Sequence, residues 1–176
     1  MRCFIAVELD RSLQKRVIDI QRDLLEDAVR PVGPENLHIT LRFLDEQDEQ
    51  NVNEIVKVLE GVCHRPFEIR FADIGVFPRL NHINVVWIGV KGPLRELVDK
   101  INLQLTDVGI PAEEKPFSAH LTIARVSRKP ELLVERVQKL KGIQLGSQKV
   151  TSFVLKKSIL TPDGPIYEDI KRYELL

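Results

Sequence analysis

Two stretches of the chain carry one pattern: His38-Ile39-Thr40-Leu41-Arg42-Phe43-Leu44 and Pro116-Phe117-Ser118-Ala119-His120-Leu121-Thr122-Ile123-Ala124-Arg125. In each, a histidine and a threonine stand two residues apart, with aliphatic residues between and after them. Residues i and i+2 of a β-strand project to the same face. His38 and Thr40 therefore share one face, and Ile39 and Leu41 the other. The same holds for His120 and Thr122 against Leu121 and Ile123. A lone His-x-Thr is ordinary in a strand whose polar face looks at water. Here the context repeats as well, because each copy runs on through a polar turn into a helix-like segment.

Working outward, Arg2–Glu8 reads as a buried strand. Asp10 is placed to cap a helix over about Ser12–Val29, with Leu13, Val17, Ile20 and Leu24 at helical spacing and Pro31, Gly33 and Pro34 to stop it. The first motif strand covers Asn36–Leu44. Val52, Ile55 and Leu59 mark a second helix. Phe67–Ala72 alternates as a half-buried strand, Asp73–Leu80 reads as broken by Gly75 and Pro78, and His82–Val90 is a strand. A helix from Gly92-Pro93 to about Asp107 leads to the second motif strand, Phe117–Val126. Pro130–Leu140 reads as a helix. Val150–Leu160 and Ile166–Glu174 are strands joined by the turn-rich Thr161–Pro165.

Loose alternation of strands and helices, with hairpins, argues for an α+β fold with antiparallel sheets rather than a doubly wound parallel sheet. The histidines are 82 residues apart (120 − 38), too long for a solenoid repeat and right for two related lobes. Two lobes meeting face to face would set His38 opposite His120 across a groove, within a single bilobed domain spanning residues 1–176.

Composition bounds the function. Lys+Arg and Asp+Glu number 26 each, so the formal net charge is zero. That disfavours a protein that coats nucleic acid through its backbone, and leaves room for a local anion site. Cys3 and Cys63 lie far apart and in no metal-ligand spacing, which suits a reducing, cytoplasmic compartment. No apolar run reaches membrane-spanning length.

Two imidazoles across a groove, each with a hydroxyl neighbour, can flank one phosphate. A neutral histidine takes a proton from the nucleophile, and a protonated one gives a proton to the leaving oxygen. The threonine hydroxyls can donate to the non-bridging oxygens, and Arg125 can add a fixed charge. Such a set needs no metal and no cofactor. Catalytic zinc wants three protein ligands, and the motifs offer two nitrogens. His64 and His82 read as surface or structural. Arg42 is expected to point away from His38. Lys156, Lys157 and Ser158 sit on a late strand that can face either the groove or solvent, and Tyr167 is given no catalytic role.

The paired motifs, HITLRFL and FSAHLTIAR, resemble the two-histidine phosphoesterase superfamily. Within it they are most similar to the RNA 2′,3′-cyclic phosphodiesterases, also called 2′-5′ RNA ligases (LigT-like). The opening RCFIAVEL, the central FPRLNHINVVWIGV and the closing SILTPDGPIYEDI extend the resemblance over nearly the whole chain. Ala119 stands where the family usually has proline. The resemblance implies two antiparallel sheets with helices outside, arranged as pseudo-two-fold lobes around a central groove. It implies hydrolysis of a terminal 2′,3′-cyclic phosphate of RNA to a 2′-phosphate, by a monomer, with ligation as the reverse reaction. Carried over, His38 is the general acid and His120 the general base. Thr40, Thr122 and Arg125 bind phosphate, and Phe43 stacks the terminal base. The alternatives are a non-catalytic binder of RNA ends and a phosphodiesterase for another cyclic or 2′-5′ substrate.

Overall fold

Arg2–Glu8 forms β1, whose residues Cys3–Val7 are all buried, as a central strand covered on both faces requires. The computed structural model describes residues Met1–Leu176. After β1 come α1 (Arg11–Leu24), β2 (Val29–Pro31), a 3-10 turn (Pro34–Asn36), β3 (His38–Glu46), α2 (Glu49–Leu59), β4 (Phe67–Arg79) and β5 (His82–Lys91). Then follow α3 (Leu94–Thr106), β6 (His120–Val126), α4 (Leu133–Lys139), β7 (Gln144–Val150), β8 (Ser152–Thr161) and β9 (Gly164–Glu174).

The fold is α+β, and every strand pairing is antiparallel. The strands run in the order β7-β4-β5-β6-β3-β1-β8-β9, with β2 beside β6. The two expected sheets are the halves of this path. They meet between β6 and β3 at a single residue pair, Ile39 with Leu121. About that joint β3 corresponds to β6, β1 to β5, β8 to β4 and β9 to β7. The run β1-α1-β3-α2-β4 of the first part of the chain is therefore repeated as β5-α3-β6-α4-β8 in the second, while β7 and β9 both come from the second part.

The lobes are interleaved. Helix α1 leaves β1 and packs on β6, β7 and α4 of the other half, while α3 leaves β5 and packs on β3 and α2. The contact face of α1 is the periodic set Leu13, Val17, Ile20 and Leu24, all buried. Burial of each such side chain contributes about 1.5–3 kcal/mol, so the exchange of helices ties the halves into one core. No helix is long and apolar enough to cross a membrane.

Four local expectations are corrected. Helix α1 ends at Leu24, not Val29: its apolar period fails at Glu26-Asp27, and Val29 is buried instead in β2, opposite Val126. Asp10 occupies the N-cap position, yet its carboxylate caps nothing, and its backbone N–H donates to Gln148 Oε1 at 3.0 Å. The stretch after Ala72 is not broken but continues as β4. A bulge at Asp73 (φ 69°) absorbs the irregularity, with Asp73 Oδ1 accepting from the N–H groups of Ile74 and Gly142. The late strand divides at Thr151, because β7 pairs with β4 in one half and β8 with β1 in the other.

Candidate active site

Strict alternation along β3 would set Arg42 beside His38 and turn Phe43 away. The structure does the opposite: Arg42 points away from His38, as expected, through a bulge rather than by alternation. Thr40 stands opposite Ala6 and Arg42 opposite Ile5, so Leu41 is an extra residue, a β-bulge. Beyond it the parity flips. Phe43 emerges on the His38 face and Arg42 is driven inward, where it donates to the Pro111 carbonyl and pairs with Glu113 at 3.0 Å. The second motif repeats the device. Thr122 is opposite Trp87 and Ala124 opposite Val86, so Ile123 is the extra residue and Arg125 joins the His120 face. The two hexapeptides from each histidine show the same succession: half-buried, buried, half-buried, buried, buried, exposed.

The Ile39–Leu121 pair brings the copies together. Extending its antiparallel register by one residue each way sets His38 opposite Thr122 and Thr40 opposite His120. The four polar side chains thus form a quartet on one face. They line a cleft of about 990 Å³ with Phe43 and Arg125, so all six residues singled out in the sequence converge there.

Both rings are held alike. His38 Nδ1 lies 2.7 Å from the Asn36 carbonyl oxygen, and His120 Nδ1 lies 2.8 Å from that of Ser118. A carbonyl only accepts, so each Nδ1 carries the proton and donates. This leaves each Nε2 as the basic nitrogen of its ring. The Thr40 hydroxyl is 3.1 Å from His38 Nε2 and can donate to it.

Each imidazole also sits in an aromatic collar from remote strands. Phe4 lies 5.0 Å from His38, and Tyr167 meets it edge-on at 5.3 Å. Phe77 meets His120 edge-on at 5.1 Å, with Trp87 at 6.3 Å. Trp87 fits because residue 75, opposite it on β4, is glycine: a Cβ there would come within 2.2 Å of the indole ring. Burial in the first collar pushes the His38 pKa down to about 4, with the positive charges of Lys156 and Arg125 acting in the same direction. Lys156 itself is buried, opposite Phe4 in the β1–β8 pairing, and is held by Glu8 at 2.6 Å and by Asp169. Lys157 pairs with Glu168 at 2.7 Å, and of that late trio only Ser158 opens onto the cleft. No group of three or more His, Cys, Asp and Glu side chains is gathered where it could hold a metal ion.

The duplication also appears in a comparison with known families. The model of the LigT like Phosphoesterase family matches twice in succession, over residues 6–87 and 88–167. The chain belongs to the LigT-like phosphoesterase family. It is 42% identical to an RNA 2′,3′-cyclic phosphodiesterase of Archaeoglobus fulgidus over 99% of this chain and 100% of the relative. It is 35% identical to the protein of the same name from Methanocaldococcus jannaschii over 98% and 100% of the two chains. The fold matches TT0787 of Thermus thermophilus with a TM-score of 0.88 at 25% identity, covering 99% of this chain and 98% of that one. It matches Escherichia coli LigT complexed with 3′-AMP with a TM-score of 0.79 at 26% identity, covering 99% and 97%.

Within this LigT-like frame, sequence reading overlooked three sets of groups. The carbonyls of Asn36 and Ser118 orient the rings, and the shared spacing, two residues before each histidine, was the available signal. Tyr167, Phe77 and Trp87 form the collars from strands distant in sequence, so no local pattern marks them. Arg30 lies in β2, a three-residue strand that begins at the last residue of the expected helix, and it lines the same cleft.

Proposed function

We propose that the chain hydrolyses the terminal 2′,3′-cyclic phosphate of RNA, leaving a 2′-phosphate. Water adds to phosphorus as the P–O3′ bond breaks. His120 Nε2 takes the water's proton, and His38 Nε2 supplies the proton that leaves with the 3′ oxygen. Each transfer is worth ~10²–10⁴ in rate. The hydroxyls of Thr40 and Thr122 donate to the non-bridging oxygens, where charge grows in the transition state. Arg125 adds positive charge, and the exposed ring of Phe43 stacks the terminal base whatever its identity.

The observation that supports this reading is the matched anchoring of the two Nδ1–H groups in one cleft, with both Nε2 atoms left as the basic nitrogens. Burial holds His38 neutral before substrate binds. A phosphate diester against Nε2 favours the imidazolium, so His38 takes up its proton as substrate binds. Both histidines come from one chain, so the reaction needs no second copy. Cys3 and Cys63 are free thiols, which supports a cytoplasmic setting.

The test is cleavage of an oligoribonucleotide ending in a 2′,3′-cyclic phosphate, with EDTA present, the product end being identified as 2′- or 3′-phosphate. Loss of turnover in His38→Ala and in His120→Ala by at least about 100-fold each is expected. Retained turnover in the double variant, or binding of the RNA end with no turnover by the unmodified protein, rejects the reading.

A further inference from the structure

Arg30 takes no part in the chemistry above, yet the fold fixes it in the cleft. It stands directly opposite Arg125 in the β2–β6 pairing, so the two side chains project from the same face. Both are exposed and both line the cleft. None of the molecule's ion pairs involves either one. Like charges directly opposed across strands are destabilising, and β2 is nevertheless stapled in place. The buried Gln21 amide donates to the carbonyls of Val32 and Ile123, both at 2.8 Å, and Val32 N–H donates to the Ile123 carbonyl at 2.9 Å. Two guanidiniums side by side on strands held in this way, neither of them in an ion pair, form a receptor for an anion with several oxygens, such as a phosphate.

Which phosphate follows from direction. Strands β3 and β6 cross antiparallel at Ile39–Leu121, so Phe43 lies off one end of the His/Thr quartet and Arg125 with Arg30 off the other. In a ribose whose 2′ and 3′ oxygens carry the cyclic phosphate, the base leaves from C1′ on one side of that edge. The 5′ chain leaves from C4′ on the other. With the cyclic phosphate in the quartet and the base on Phe43, the 5′ chain runs toward Arg30. Arg2 also lines the cleft, but it stands across β1–β3 from the carboxylate of Glu46.

We propose that Arg30, standing beside Arg125, binds the phosphodiester on the 5′ side of the terminal nucleotide, making the site selective for RNA ends over free cyclic mononucleotides. This rests on the cyclic phosphodiesterase reading above. Arg30 is a specificity residue, reached only by a substrate at least two nucleotides long.

The experiment compares kcat/KM for adenosine 2′,3′-cyclic monophosphate with that for the dinucleotide ApA ending in a 2′,3′-cyclic phosphate. The unmodified protein and the Arg30→Gln and Arg30→Lys variants are assayed at one fixed salt concentration. The ratio of dinucleotide to mononucleotide kcat/KM is expected to fall about tenfold or more in Arg30→Gln, as loss of one charge-assisted contact predicts. The fall should come through KM and be partly recovered by Arg30→Lys. Thermal stability of Arg30→Gln should not drop, since an opposed like charge has been removed. An unchanged ratio, or an equal loss on both substrates through kcat, overturns the proposal. Turnover of neither substrate by the unmodified protein overturns the cyclic phosphodiesterase reading, and this proposal with it.

Discussion

Phe43 and Arg125 hold equivalent places in the two lobes. Each lies five residues beyond its histidine, each is exposed, and each is brought to the cleft face by a one-residue bulge, at Leu41 and Ile123 respectively. The duplicated scaffold thus presents one position twice and fills it with two chemistries. An aromatic face at one end suits a base, and a guanidinium at the other suits an oxyanion. A symmetric quartet is converted in this way into a polar groove with a defined direction for the substrate.

Phe43 is 61% exposed, so its ring adds little to the core. Phe43→Ala is expected to raise KM for RNA ends by about 5–150-fold, the range of ~1–3 kcal/mol for base–aromatic stacking. Its kcat and melting temperature should stay near those of the unmodified protein. Steady-state kinetics with a thermal melt checks both, and a fall in kcat at constant KM would remove Phe43 from the base site.

The two protonation states of His38 connect the site to stability. In the unfolded chain this histidine gains its proton near pH 6.5, but in the folded protein only near pH 4. Between those values the unfolded state binds more protons, so stability rises with pH across the window and falls as the solution is acidified. The loss by pH 4 is at most about 3 kcal/mol. The Glu8 carboxyl, partly buried but hydrogen-bonded by Arg172 and Lys156, is held below the ordinary carboxylate range. Melting temperatures of the unmodified protein should therefore fall between pH 6.5 and 4.5 more steeply than those of His38→Gln. Parallel curves would show that the ring is not held neutral.

Gly75 makes room for Trp87, and Trp87 flanks His120. Gly75→Ala pushes a methyl group into the indole. Overpacking of this kind costs about 1–3 kcal/mol, and here the displaced ring adjoins the imidazole of His120. We expect both a lower melting temperature and a lower kcat. Full activity with normal stability would mean that the collar of His120 is dispensable.

The two His-x-Thr couples, their faces and their antiparallel α+β setting could be read directly from the chain. A strand imposes a period of two, and the duplication spans both halves. The net charge of zero likewise spoke against a coating surface and left room for a local anion site. Other features arose only on folding. The bulges at Leu41 and Ile123 leave no mark in the sequence, because they are defined by the partners Ala6 and Ile5, and Trp87 and Val86, across the sheet. The collars of Phe4 and Tyr167, and of Phe77 and Trp87, join residues brought together by the exchange of strands between lobes. Arg30 carried no signal of its own, since β2 is three residues long and is defined by its pairing with β6, Val29 opposite Val126 and Arg30 opposite Arg125. Local periodicity determined which side chains could do chemistry. Long-range pairing, which no neighbouring residue encodes, decided where those side chains meet and how far each is desolvated.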